Sequence, residues 1–166
     1  SSAFKPTETV DPRGYVTTVE YDDLYRPIHT KTYYAETGGA SGDVAHTKTD
    51  YDSVGNVTMI TVYRGGDGSS DSIITQSHYD ALNRVTSVVE ALGTADQVTT
   101  ATEYTSTGLA WKVKHPVELT DRVTTTEYDG AGRPTVVTAP QVLNGLTGQM
   151  ESPVTMTEYD AAGNVY

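Results

Sequence analysis

The 166-residue sequence predicts an all-β fold: tandem β-hairpins joined in one continuous, twisted and spiralling sheet. Three observations carry that expectation. Tyr recurs at positions 21, 51, 79, 104, 128 and 159, at spacings of 30, 28, 25, 24 and 31 residues. Thr stands four residues ahead of every one of them. Gly, or Asn in one copy, stands four residues behind five of them. No segment carries the sustained apolar period of a capped helix.

The first strand of each unit is read from the residues ahead of Tyr. Thr17, Thr47, Thr75, Thr100, Thr124 and Thr155 are followed two places on by Val19, Thr49, Ser77, Thr102, Thr126 and Thr157. Period two is the period of a strand, so Thr-x-Thr-x-Tyr is one face of a strand ending at Tyr. Thr fills 28 positions of the chain, too few for six hits at one offset to be accidental. The opposite face carries Glu20, Asp50, His78, Glu103, Glu127 and Glu158 beside the Tyr, expected in solvent. Val16, His46, Ile74, Thr99, Val123 and Val154 lie at its far end, mostly β-branched.

A turn follows each of Tyr21, Tyr51, Tyr79, Tyr104, Tyr128 and Tyr159. Asp22, Asp52, Asp80, Asp129 and Asp160 open it, with Thr105 as the exception. Asp in this place bonds its carboxylate to amides ahead of it. Gly55, Gly108, Gly132, Gly163 and Asn83 close it, as residues that tolerate a left-handed backbone. The unit therefore reads as a type I turn with a left-handed closing residue, a three-residue hairpin loop with a bulge. Tyr25 occupies the closing position in the first copy, which predicts a distorted turn there.

The second strand begins near Arg26, Asn56, Arg84, Leu109, Arg133 and Asn164, and Pro27 and Pro134 fall at its start, where Pro is tolerated. Stretches 37–43, 65–71 and 139–152 read as flexible surface linkers. Residues 1–166 are thus expected to be a single array of six hairpins, truncated within the sixth. The Ser1 start, with no Met, predicts a processed piece or an excised fragment.

Composition narrows the function. A formal charge of -11 argues against nucleic acid and against an anionic membrane surface. No apolar run reaches the roughly 18 residues of a membrane span. With 12 of the aromatics Tyr, and Phe and Trp present once each, the core is expected to be thin, with Tyr as its main bulky member. The absence of Cys excludes disulfides and thiolate chemistry.

Tyr128-Asp129-Gly130-Ala131-Gly132-Arg133 resembles the YD-repeat signature of Rhs and teneurin-type proteins, and Tyr159–Asn164 and Tyr51–Asn56 are close variants. The resemblance covers essentially the whole chain. It implies hairpins wound into a spiralling sheet that closes into a hollow shell. That shell encloses a toxin in some members and forms an extracellular structural or adhesive body in others. The chain has too few hairpins for a shell and lacks the family's Pro- and Asp-rich core motif, so a section of wall is expected.

The expected role is non-catalytic: a wall or scaffold segment of a secreted or cell-surface protein. The alternatives are a carbohydrate or cell-surface binding module and a self-associating extracellular fibre subunit. The expected partners are further repeats, or neighbouring molecules, joined through open strand edges. The Asp of the repeat recurs at equivalent turns, the mark of a cap and not of a glycosidase pair. One carboxylate per strand makes a line and not a calcium cage, and the Gly/Asp-rich loop 65–71 occurs only once, so no metal and no cofactor are expected. His29, His46, His78 and His115 fall at different offsets and form no close pair in sequence. Asn56-Val57-Thr58 is a glycosylation sequon at an accessible hairpin. Ligand contacts are sought where copies break the pattern, around Thr105, with Trp111 and Tyr25 as the candidate ligand-binding residues.

Overall fold

The structure is a computed structural model that describes residues 7–34, 45–64, 71–115 and 122–166. The linker at 37–43 and most of the Gly/Asp-rich loop at 65–71 lie outside those residues.

The fold is all-β. Strand pairing is antiparallel, and hydrogen bonding joins β1 (Thr7–Val10), β2 (Tyr15–Tyr21), β3 (Pro27–Tyr34), β4 (Ala45–Tyr51), β5 (Val57–Tyr63), β6 (Ser72–Tyr79), β7 (Val85–Glu90), β8 (Val98–Tyr104), β9 (Ala110–His115), β10 (Arg122–Tyr128) and β11 (Pro134–Thr138) in chain order. A separate hairpin, β12 (Val142–Leu143) with β13 (Met150–Glu151), follows, and β14 (Val154–Met156) then pairs with β11. The stretch 139–152, expected as a flexible linker, therefore carries a hairpin of its own. Its turn is closed by the Asn144 carbonyl, which accepts from the Gly148 amide at 2.8 Å, and by Leu146 N–H on Asn144 Oδ1 at 2.9 Å. Asn144 is a residue suited to such a turn.

Five of the predicted first strands end on their tyrosines: Tyr21, Tyr51, Tyr79, Tyr104 and Tyr128. The sixth stops at Met156, and Tyr159 meets Val165 in an isolated bridge. By its contacts the chain divides into two units, 1–84 with 88–97, and 85–87 with 98–166.

Within each unit the hairpins follow one register rule. Glu20 pairs with His29, and His29 pairs with Lys48. Asp50 pairs with Met59, and Met59 with Gln76. In the second unit Glu103 pairs with Lys112, which pairs with Thr125. Glu127 pairs with Val136, which pairs with Met156. In these four steps the residue one before Tyr thus lies level with the residue three before Tyr in the next copy, a stagger of two residues per hairpin.

This stagger explains the Thr column. Thr47, Thr75, Thr124 and Thr155, four before their Tyr, each lie level with the residue two before Tyr in the preceding copy. The rows are Val19–Thr30–Thr47, Thr49–Ile60–Thr75, Thr102–Val113–Thr124 and Thr126–Val137–Thr155. Every member is β-branched, the side-chain class that packs best in cross-strand pairs.

The core differs from the expectation. Among the residues whose burial is described no Tyr is buried; the buried apolar side chains are Val16 and Val89, and the buried polar ones are His46 and Thr61. Val16 (5% exposed) and His46 (0%) both stand five residues before Tyr, on the face expected to point outward. The repeat tyrosines, at the turn ends of their strands, stay half-buried and take a different job.

Candidate functional site

The repeat residues build a staple between successive hairpins. Tyr51 Oη donates to the Pro27 carbonyl at 3.0 Å, Tyr79 to Val57 at 2.7 Å, Tyr104 to Val85 at 2.7 Å, Tyr128 to Ala110 at 2.6 Å and Tyr159 to Pro134 at 3.0 Å. The acceptor is always the first residue of the preceding hairpin's second strand. A phenol at the end of a half-buried ring thus satisfies its donor on a backbone carbonyl of the neighbouring hairpin.

The turns repeat with the same fidelity. Gly55, Gly108, Gly132 and Gly163 have φ between 79° and 101° and donate their amides to the carbonyls of Asp52, Thr105, Asp129 and Asp160. The first turn is not distorted. Tyr25 takes φ 61°, its amide reaches the Asp22 carbonyl at 3.0 Å, and Asp22 Oδ1 accepts from Leu24 and Arg26. The ladder and cap enforce the left-handed backbone on a residue that disfavours it. Tyr25, a candidate ligand residue, is thus 68% exposed in a framework position. A seventh turn was not anticipated: Asp11 bonds Arg13 and Tyr15, and Gly14 closes it at φ 86°, with Val10 where other copies have Tyr. The string Asp11-Pro12-Arg13-Gly14 was the available signal.

The residue four after the Asp has a role beyond starting a strand. Arg26, Arg84 and Arg133 fold back onto Asp22, Asp80 and Asp129 with Nε–Oδ2 distances of 2.6, 2.7 and 2.7 Å, and Asn56 and Asn164 do so at 2.8 and 3.1 Å. The guanidinium carbons of Arg26 and Arg133 also sit 4.5 Å from the ring centroids of Tyr51 and Tyr159. Asn56 Nδ2, the sequon nitrogen, donates to both Asp52 Oδ2 at 2.8 Å and Asn83 Oδ1 at 3.0 Å, so it takes part in the turn framework. These bonds hold the turn carboxylates below the ordinary range. For Asp22 and Asp129 the largest cause is the backbone amide four residues on; for Asp80 and Asp160 it is the Arg84 or Asn164 side chain. At Asp52 desolvation is the largest influence and acts upward, but the bonds from Asn56, Val54 and Gly55 outweigh it.

The fold also joins two histidines that sequence spacing kept apart. His29 Nδ1 lies 2.7 Å from His46 Nε2, and the His46 ring stacks between His29 and Tyr63 at 5.0 and 4.6 Å. Among the described residues no cluster of three His, Asp or Glu side chains has the geometry to hold a metal ion.

One copy departs from the rule at three places together. Thr105 replaces Asp, and its Oγ1 accepts from the Leu109 amide at 3.0 Å. Leu109 replaces Arg or Asn. Trp111 stands at the β-bulge: Glu103 pairs with Lys112 and Tyr104 with Ala110, which leaves Trp111 as the extra residue. The corresponding bulge residues Thr58 and Thr135 donate their hydroxyls to the Asp50 and Glu127 carbonyls at 3.2 and 3.3 Å. Trp111 carries a bulky indole where those copies carry the short bonding hydroxyl. Trp111, 37% exposed, lines a groove of about 730 Å³ with Leu109, Thr126, Glu127 and Tyr128.

No protein-family model matches the chain, and no curated protein matches it. Among solved structures the chain is similar to TcdB2-TccC3-Cdc42 (16% identity, TM-score 0.47), TcdB2-TccC3-TEV (16%, 0.45) and TcdB2-TccC3 (14%, 0.46), each over 97% of this chain. The chain spans 11% of the length of each of those chains.

Proposed function

We propose that this chain is a structural section of a hairpin-repeat wall of the YD-repeat kind, part of a secreted or cell-surface protein, and that it catalyses no reaction. The observation that carries the reading is the tyrosine staple: five phenols each tie one hairpin to its predecessor at an equivalent carbonyl. The residues that recur in every unit are spent on register, turn and ladder, so what the repeat specifies is a continuing surface. The Tyr-Asp signature and the fixed Thr support the same kinship. The outer edges of β1 and β14 are the places where further strands would add.

Electron cryo-microscopy of the natural polypeptide that carries this segment tests the proposal. The expected result is this segment as one stretch of a larger hairpin sheet bounding a lumen. A freestanding domain on a tether, with both edges in solvent, would overturn it. A second reading, self-association through the same edges, predicts concentration-dependent growth in sedimentation; a strict monomer at high concentration counts against that reading alone.

A further inference from the structure

We propose that the groove beside Trp111 is a binding site for a neutral hexose oligosaccharide. Its lining comes from one bulge and two turns: Thr105, Leu109, Trp111, Glu127, Tyr128 and Asp129 are its chemically distinctive members. All lie in the second unit.

The site exists because one copy gives up its own filling. In two other copies an Arg at the equivalent place spans the carboxylate of its own turn and the ring of the next tyrosine: Arg26 from Asp22 to Tyr51 and Arg133 from Asp129 to Tyr159. Here both members of the ion pair are replaced, by Thr105 and Leu109. The Asp129 carboxylate at the groove is already held by Arg133 at 2.7 Å, so a guanidinium arriving from outside would meet a hydroxyl at Thr105 where the repeat normally offers a carboxylate. An anionic ligand would meet Glu127 and no cation in the lining. What remains is a ring for a C–H face, an aliphatic wall, and hydroxyl and carboxylate acceptors at the rim. That set suits a pyranose, whose axial C–H groups carry partial positive charge toward an aromatic face and whose hydroxyls point to the side.

The bulge supplies the aim. A bulge residue is unpaired in the ladder and turns its side chain away from the strand's alternation. Trp111 can thus be large without disturbing the rows of the sheet. Lys112 Nζ, 5.4 Å from the indole centroid and 2.7 Å from Glu103 Oε1, steadies the ring. A volume of about 730 Å³ lies within the usual range for small-molecule clefts, roughly 300–1,000 Å³.

Trp111 is the chain's single Trp, so its fluorescence reports the groove alone. Titration of the purified chain with maltotetraose, cellotetraose, mannotetraose and galactotetraose is expected to give a saturable change with at least one of them, confirmed by calorimetry. Trp111→Ala is expected to weaken binding at least about tenfold by calorimetry. Thr105→Asp with Leu109→Arg, which restores the filling found in other copies, is expected to fold with an unchanged circular dichroism spectrum and to lose binding to the same degree. No response to any of the four, binding that survives both variants, or binding of tetra-arginine in place of the sugars would overturn the proposal. Such a failure leaves the wall reading standing, because four of the five staples lie away from the groove and the fifth, at Tyr128, is a bond to the Ala110 carbonyl that needs no ligand.

Discussion

The hydroxyl of Tyr128 donates to the carbonyl of Ala110 at 2.6 Å, the shortest of the five staples. Its ring also stands at the groove opened by Trp111. Tyr128→Phe keeps the ring and deletes the bond. It is expected to lower stability by about 1 kcal/mol, the usual net worth of one hydrogen bond, more if the Ala110 carbonyl stays dry. Urea unfolding would read this, with faster amide exchange along β9 and β10 as the local signature.

Tyr25→Gly should stabilise the protein. The residue holds φ 61° inside an intact turn, a conformation that costs an L-residue about 1–2 kcal/mol. Gly relieves that cost but adds unfolded-state entropy, so a net gain of up to about 1 kcal/mol is expected. Asn83→Gly, also at φ 61°, should gain less or lose, because the Asn83 side chain accepts from Asn56. Thermal melts of the two variants would separate these effects.

Acid should loosen the turns in a defined direction. Asp11, Asp22, Asp52, Asp80, Asp129 and Asp160 all have carboxyls held below their ordinary value in the folded chain. The unfolded chain then binds more protons, so stability from these groups is complete above about pH 4 and is lost as pH falls through the depressed folded values. Melting temperature is expected to be flat with respect to these groups from neutrality down to that point and to drop below it. The Thr105 turn has a hydroxyl cap and no such proton, so hydrogen exchange at Leu109 should lack the acid response seen at Arg133.

His46→Ala should be among the most damaging single changes in the first unit. It removes a fully buried ring stacked on Tyr63 and bonded to His29 at 2.7 Å. The expected cost is roughly 2–4 kcal/mol from lost packing and a stranded polar partner. Denaturant titration would show it; a loss below about 0.5 kcal/mol would mean that the stack contributes little.

Much of this fold was legible in the residues. The tyrosine period, the Thr offset and the Asp-x-x-Gly turns placed five hairpins and their strand ends, because turn chemistry and β-branching act locally. Three features were not legible, each for a non-local reason. The staple acceptors lie 18 to 25 residues from their tyrosines, and only the stagger brings them level. The His29–His46 pair depends on the same register. Tyr25 was misread because a left-handed position was judged by its own residue, whereas the cap at Asp22 and the ladder beside it decide the backbone. The groove was half legible: Trp111 stood out as a departure, but its place at a bulge, facing a turn stripped of its ion pair, required the pairing of Glu103 with Lys112.

Each hairpin advances about 10 Å across the strands and, through its offset of two residues, about 7 Å along them. Within each unit, then, one hairpin sets the level of the next by a rule that names no loop. The linkers between copies are free to differ in length because the offset is set by phenol and carbonyl, not by the chain that joins them.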